Sequence, residues 1–203
     1  MTNFTYSKDL PDDLDLGKIV AVDCETMGLN PGRDRLCVVQ LSSGDGHSHI
    51  VHIEKDQQKA QNLTRLLQNK NILKLFHFGR FDIAILYSTF GFLSSPVYCT
   101  KIASKIARTY TDRHGLKNLL AELLEIDISK QQQSSDWGAK TLSKAQIEYA
   151  ATDVLHLHAL REKLDEILER ENRADLANSC FKFLPFRAAL DIKGWNNIDI
   201  FEH

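Results

Sequence analysis

An apolar run that ends in two carboxylates limits what this chain can fold into. Ile19-Val20-Ala21-Val22 is followed at once by Asp23-Cys24-Glu25. A short apolar run rich in β-branched residues reads as a buried strand. Side chains two apart on a strand face the same way, so Asp23 and Glu25 project together, on the order of 6–7 Å apart along it. A carboxylate facing an interior needs a hydrogen-bonding partner or a metal. Whatever the fold, something polar or cationic must meet this strand end.

Two further acidic blocks supply candidates. Asp82 follows His77-Phe78-Gly79-Arg80-Phe81, at the start of a stretch in which Ile83, Leu86 and Tyr87 form an apolar stripe at helical spacing. Tyr149-Ala150-Ala151-Thr152-Asp153 places a tyrosine and an acid four apart, on one helix face. Two strand carboxylates and one from each of two helices can converge at the strand end. Four carboxylates of this kind hold a pair of hard divalent cations, Mg²⁺ or Mn²⁺, and such a pair is a standard device for phosphodiester cleavage. Asp23, Glu25, Asp82 and Asp153 are therefore the expected metal ligands. Tyr149 marks the expected place of the attacking water. A phenol of ordinary pKa positions water, whereas proton abstraction requires that pKa to be depressed. A solvated face is the competing reading of any single block, but it has to hold three times over.

Taken together, these blocks resemble the DEDD superfamily of 3′–5′ exonucleases in its tyrosine subclass, over about residues 17 to 160. The match continues through Asp112-Arg113-His114-Gly115-Leu116-Lys117, Ser129 to Trp137, Leu142-Ser143 and Gln146 to Ala151, and is ribonuclease D-like. The short length, Asp34 to Ser43 and the run Gln131-Gln132-Gln133 are similar to the alphaproteobacterial nanoRNase C type. The resemblance implies a ribonuclease H-like fold and a metal-dependent 3′–5′ exoribonuclease acting on very short RNA. General ribonuclease D-like trimming, or a DNA 3′–5′ exonuclease, is the alternative. It also implies a homo-oligomer, an octameric ring. One departure is Phe78, where ribonuclease D usually has asparagine; it bears on substrate contacts and costs no metal ligand.

Substrate contacts follow from the same resemblance. Leu29 matches a leucine that wedges between terminal bases, with core packing as its alternative. Thr26 and Met27 then line the terminal nucleotide, and His77 bonds its ribose or phosphate. Lys130, Gln133, Ser134 and Ser135 form a polar stretch suited to a phosphate. Trp137 reads as core rather than as a base-stacking platform.

Composition is consistent with this reading. At 203 residues and 43% hydrophobic content, one domain with an ordinary core is expected. No run approaches the length of a membrane span, and no basic segment followed by an apolar one opens the chain. The four cysteines form no C-x-x-C pair, so reduced thiols in the cytoplasm are expected. A net charge of −2 is unlike that of a protein tracking long duplex DNA. Locally, however, Lys101, Lys105, Arg108, Arg113 and Lys117 face Asp112 alone, a patch suited to a few phosphates.

The patterning predicts a mixed five-stranded sheet flanked by helices. Strands are expected at Ile19–Cys24, Leu36–Leu41, His49–Ile53, Ile72–His77 and Pro96–Cys99. Helices are expected at Gln58–Gln68 and Phe81–Phe90 and at about 100–107, 115–124, 144–151 and 153–171. Residues from about 172 to 203 form an extension rich in aromatics (Phe181, Phe183, Phe186, Trp195 and Phe201). Such a segment either packs back on its own domain or forms a subunit interface.

Overall fold

Alternation and burial, more than intrinsic propensity, explain the architecture. The computed structural model describes residues 2–128, 132 and 134–202. Among them lie six strands: β1 (Thr2–Ser7), β2 (Ile19–Thr26), β3 (Leu36–Ser42), β4 (His47–His52), β5 (Leu73–Phe76) and β6 (Val97–Cys99). They form one sheet in the order β1-β4-β3-β2-β5-β6. The β3 strand runs antiparallel to both its neighbours, β2 and β4, whereas β1 with β4, β2 with β5 and β5 with β6 pair in parallel. The expected mixed sheet is thus present with one strand more than expected. The additional strand is β1, at the edge, with no residue of its Thr2–Ser7 span fully buried.

Among the described residues seven α-helices flank the sheet: α1 (Gln61–Gln68), α2 (Gly79–Phe90), α3 (Thr100–Ala107), α4 (Leu116–Leu124), α5 (Lys144–Leu155), α6 (Leu157–Arg170) and α7 (Ala174–Leu190). The break expected near residue 152 lies instead at His156, so Tyr149 and Asp153 share the uninterrupted α5. Every residue of β3 is buried, which marks it as a central strand. The main core includes Val20, Val22, Leu41, Leu75, Ile83, Leu157, Leu160 and Phe181. A smaller cluster of Cys37, Val38, Ile50, Trp137 and Ala150 lies where α5 packs on the sheet. Among the described residues no helix is long and apolar enough to cross a membrane.

Two local devices fix the elements that carry the acids. Ser143 caps α5: its Oγ accepts the Gln146 backbone N–H at 3.2 Å, and the Gln146 side chain accepts the Ser143 N–H at 2.9 Å. This reciprocal box satisfies two amides that a helix start leaves free. Gln146 also donates to the Asp136 carbonyl at 3.0 Å, tying the preceding loop to the same helix. At α2, Phe78 turns the chain with a left-handed φ of 68°. Gly79 then lies so close to Phe76 that an added Cβ would stand 2.7 Å from the Phe76 Cβ. Only glycine fits that approach, which sets Asp82 in the first turn of the helix.

The extension forms α7 and a π-helical turn, Asp191–Trp195. Its aromatics divide. Phe181 is buried against Tyr98, with ring centroids 4.4 Å apart, whereas Phe186, Trp195 and Phe201 remain exposed.

Candidate active site

Alternation along β2 sends Asp23 and Glu25 toward α5, and Cys24 to the other face. Asp23, Glu25 and Asp153 each offer a carboxylate oxygen, and these oxygens lie within 4.8 Å of one another. Asp82 stands outside this trio and is more deeply buried. Its carboxyl accepts the backbone N–H and the thiol of Cys24, as well as its own N–H at the start of α2. That position at a helix N-terminus favours negative charge. The four acids nevertheless feel one another: Asp23 is raised by burial first, then by Asp82, Asp153 and Glu25.

Burial and mutual repulsion dominate the electrostatics of the cluster. Burial, then the charges of Asp153 and Asp82, pushes Glu25 from 4.5 to about 9. Burial raises Asp82 from 3.8 to about 8, against the hydrogen bonds that lower it. The Cys24 thiol is pushed well up by burial and by these same acids, so it stays protonated and serves as a donor. Hard oxygen donors at this spacing, with Asp23 and Glu25 disfavoured as anions by burial and by their neighbours, fit a divalent cation. The donor set has no thiolate or imidazole that would favour a softer metal.

Tyr149 hydrogen-bonds Asp153 one turn along α5, and burial together with the nearby acids pushes its phenol up. The hydroxyl is therefore a donor at neutral pH, which suits holding a water and not removing its proton. Trp137 lies 6.0 Å from Tyr149, with the rings tilted by 42°. It is 2% exposed, the core position expected for it.

A cavity of about 550 Å³ opens above the acids. Thr26, Met27, Leu29, His77, Ser134 and Ser135 all line it, together with Asp23, Glu25, Tyr149 and Asp153. Leu29 is 89% exposed, so it is not a core residue. The Thr26 hydroxyl is engaged with the Gly28 carbonyl at 2.5 Å, shaping the loop that carries Leu29. His77 Nδ1 lies 2.9 Å from Thr100 Oγ1. Ser135 Oγ donates to the Gln132 carbonyl at 2.7 Å. Lys130 and Gln133 lie outside the described residues.

The basic patch is only partly available to phosphates. Arg108 is wholly buried, bonded to Glu122, Ser104 and the Arg113 carbonyl, and so is a structural cation. Lys101 lines the cavity, its Nζ 4.2 Å from the centroid of the Phe78 ring. Two residues that the sequence reading did not assign to the site touch its acids: Cys24, on Asp82, and Gln40, whose Nε2 donates to Asp23 at 2.7 Å. The available signal for Gln40 was a long polar side chain inside an otherwise apolar strand.

The model of the 3′–5′ exonuclease family matches residues 3–169 of this chain. The chain belongs to the 3′–5′ exonuclease family. Among exonuclease relatives, ribonuclease D of Gluconacetobacter diazotrophicus is 36% identical over 156 residues, 77% of this chain and 39% of that protein. The chain thus spans about two fifths of the length of the curated relatives it matches. Solved structures extend the likeness to the whole chain. Brucella melitensis NrnC with bound Mg²⁺ has 55% identity and a TM-score of 0.96, with both chains covered completely. The same protein bound to pGG has 56% identity and a TM-score of 0.97, covering all of this chain and 99% of that one. The mixed sheet and its helices are those of a ribonuclease H-like exonuclease.

Proposed function

We propose that this chain is a metal-dependent 3′–5′ exoribonuclease that hydrolyses very short RNA, dinucleotides included, to 5′-nucleoside monophosphates. The observation that carries this reading is the gathering of Asp23, Glu25 and Asp153 within 4.8 Å, at the floor of a cavity sized for a small ligand. The likeness to NrnC structures, one holding Mg²⁺ and one holding pGG, supports both the cation and the short substrate.

Asp23, Glu25, Asp82 and Asp153 would hold two Mg²⁺ or Mn²⁺ ions. The chemistry such ions supply when bound is activation of water and neutralisation of charge at the phosphate and the leaving 3′ oxygen. The chain's own residues orient the substrate. Tyr149 hydrogen-bonds the attacking water and positions it, in line with a phenol held protonated. Leu29 inserts between the last two bases, Thr26 and Met27 line the terminal nucleotide, and His77 bonds its ribose or phosphate. Ser134 and Ser135 belong to a polar stretch, with Lys130 and Gln133 in its sequence, that suits a phosphate.

The chain acts as one exonuclease domain with an extension from about residue 172. Exposed Phe186, Trp195, Ile198 and Phe201 on that extension support its use in a homo-oligomer, for which the resemblance implies eight copies. The four free cysteines, three of them buried, support a cytoplasmic setting.

The test is a comparison of turnover on a dinucleotide, on an RNA of about twenty nucleotides and on a DNA of the same length, in Mg²⁺. Faster turnover of the dinucleotide is expected. Equal or faster turnover of the longer RNA returns the reading to general ribonuclease D-like trimming, and preference for DNA returns it to a DNA exonuclease.

A further inference from the structure

Gln40 lies on β3 directly across from Asp23 on β2, as partners in the antiparallel ladder. Both therefore face the same side of the sheet. Gln40 has no exposed surface, and its Nε2 donates to Asp23 Oδ2 at 2.7 Å. The other end of the amide, Oε1, is buried without a hydrogen-bond partner among the described residues. A buried carbonyl with no donor is unfavourable, and a leucine or methionine would fill this position without it. Packing alone does not account for a glutamine here. Its single described side-chain hydrogen bond is to a carboxylate of the acidic trio.

We propose that Gln40 is a positioning residue that fixes the Asp23 carboxylate for cation binding. The amide occupies one Oδ2 lone pair and sets the plane of the carboxylate. Oδ1 and the remaining Oδ2 lone pair stay available to a cation. Without that tether, repulsion from the neighbouring acids favours turning Asp23 away from the trio. A partner beyond the ligands that orients them in this way commonly changes metal affinity by about 10- to 100-fold. The inference rests on the cation site proposed above.

The test is titration of metal-free protein with Mn²⁺, followed by isothermal calorimetry or by the electron paramagnetic resonance of free Mn²⁺. Gln40→Met and Gln40→Leu are compared with the parent and with Asp23→Asn. The expected result is folded Gln40 variants whose melting temperature equals or exceeds the parent's, with Mn²⁺ bound at least about tenfold more weakly. Parent-like Mn²⁺ affinity in either folded variant overturns the inference. Loss of fold or a marked drop in melting temperature in both variants also overturns it, because Gln40 is then a structural brace. The Asp23→Asn control separates the two readings. If that variant binds Mn²⁺ as the parent does, the site itself is wrong; if it loses Mn²⁺ while the Gln40 variants keep it, only the role of Gln40 falls.

Discussion

Arg80 and Asp191 are joined by two parallel hydrogen bonds, Nε to Oδ2 at 2.5 Å and Nη2 to Oδ1 at 2.7 Å. They fasten the end of α7 to the first turn of α2, two residues from Asp82. Arg187 approaches the same carboxylate at 3.2 Å, so one acid serves two guanidinium groups. Asp191→Ala therefore leaves both without this partner at a largely buried position. Bidentate, charge-assisted pairs are stronger than neutral ones, but the Arg80 side chain is 37% exposed and water recovers part of the loss. The expected cost is about 2 kcal/mol, a fall in melting temperature of about 4–8 °C for a chain of this size. Calorimetry of the variant at the parent's protein concentration checks it.

Leu29 separates stability from function. At 89% exposure it buries almost nothing in the free protein, so Leu29→Ala leaves the melting temperature within about 1 °C of the parent. On the wedge role proposed for it, its loss raises KM for a dinucleotide by about tenfold or more. Steady-state kinetics alongside thermal melts read both effects. An unchanged KM removes the wedge from the account.

Tyr149→Phe tests the water-positioning role. The change keeps the ring against Trp137 and removes only the hydroxyl that reaches Asp153. A fall in kcat of about 100-fold is expected, with Mn²⁺ affinity little changed. Parent-like kcat would assign Tyr149 to packing alone.

The acid cluster also dictates how stability depends on pH. Glu25 is raised to about 9 and Asp82 to about 8, and Asp23 well above its ordinary value. Each carboxyl binds its proton more tightly in the folded chain than in the unfolded one. The stability supplied by those protons is complete below the ordinary carboxylate range and is lost as pH climbs toward about 9. Metal-free protein is therefore expected to melt at lower temperature at about pH 9 than at about pH 5. Divalent cations compete with the same protons, so Mg²⁺ raises the melting temperature more at about pH 8.5 than at about pH 5.5. Scanning fluorimetry with and without chelator measures this; a rise independent of pH contradicts it.

Much of this molecule was legible in its sequence because the informative features are local. The run into Asp23 and Glu25 and the spacing of Tyr149 and Asp153 each depend on a few neighbouring residues. What escaped depends on distant partners. The β1 strand pairs with β4 far along the chain and buries little, so its pattern carries no core signal. The α7 helix is apolar on several faces and contains Pro185, which masks helical periodicity. Arg108 looked like a surface cation until its bonds to Glu122 and Ser104 placed it in the interior. Gln40 stood in plain view, but only the strand register sets it beside Asp23.

The most direct measurement follows hydrolysis of pGG by purified protein in three states: supplied with Mg²⁺, stripped with chelator, and carrying Asp23→Ala. Rapid conversion to mononucleotide in the first state alone is expected, with the Asp23→Ala protein still folded by circular dichroism. Equal hydrolysis by the stripped protein or by folded Asp23→Ala would contradict the assignment of these acids to phosphodiester cleavage.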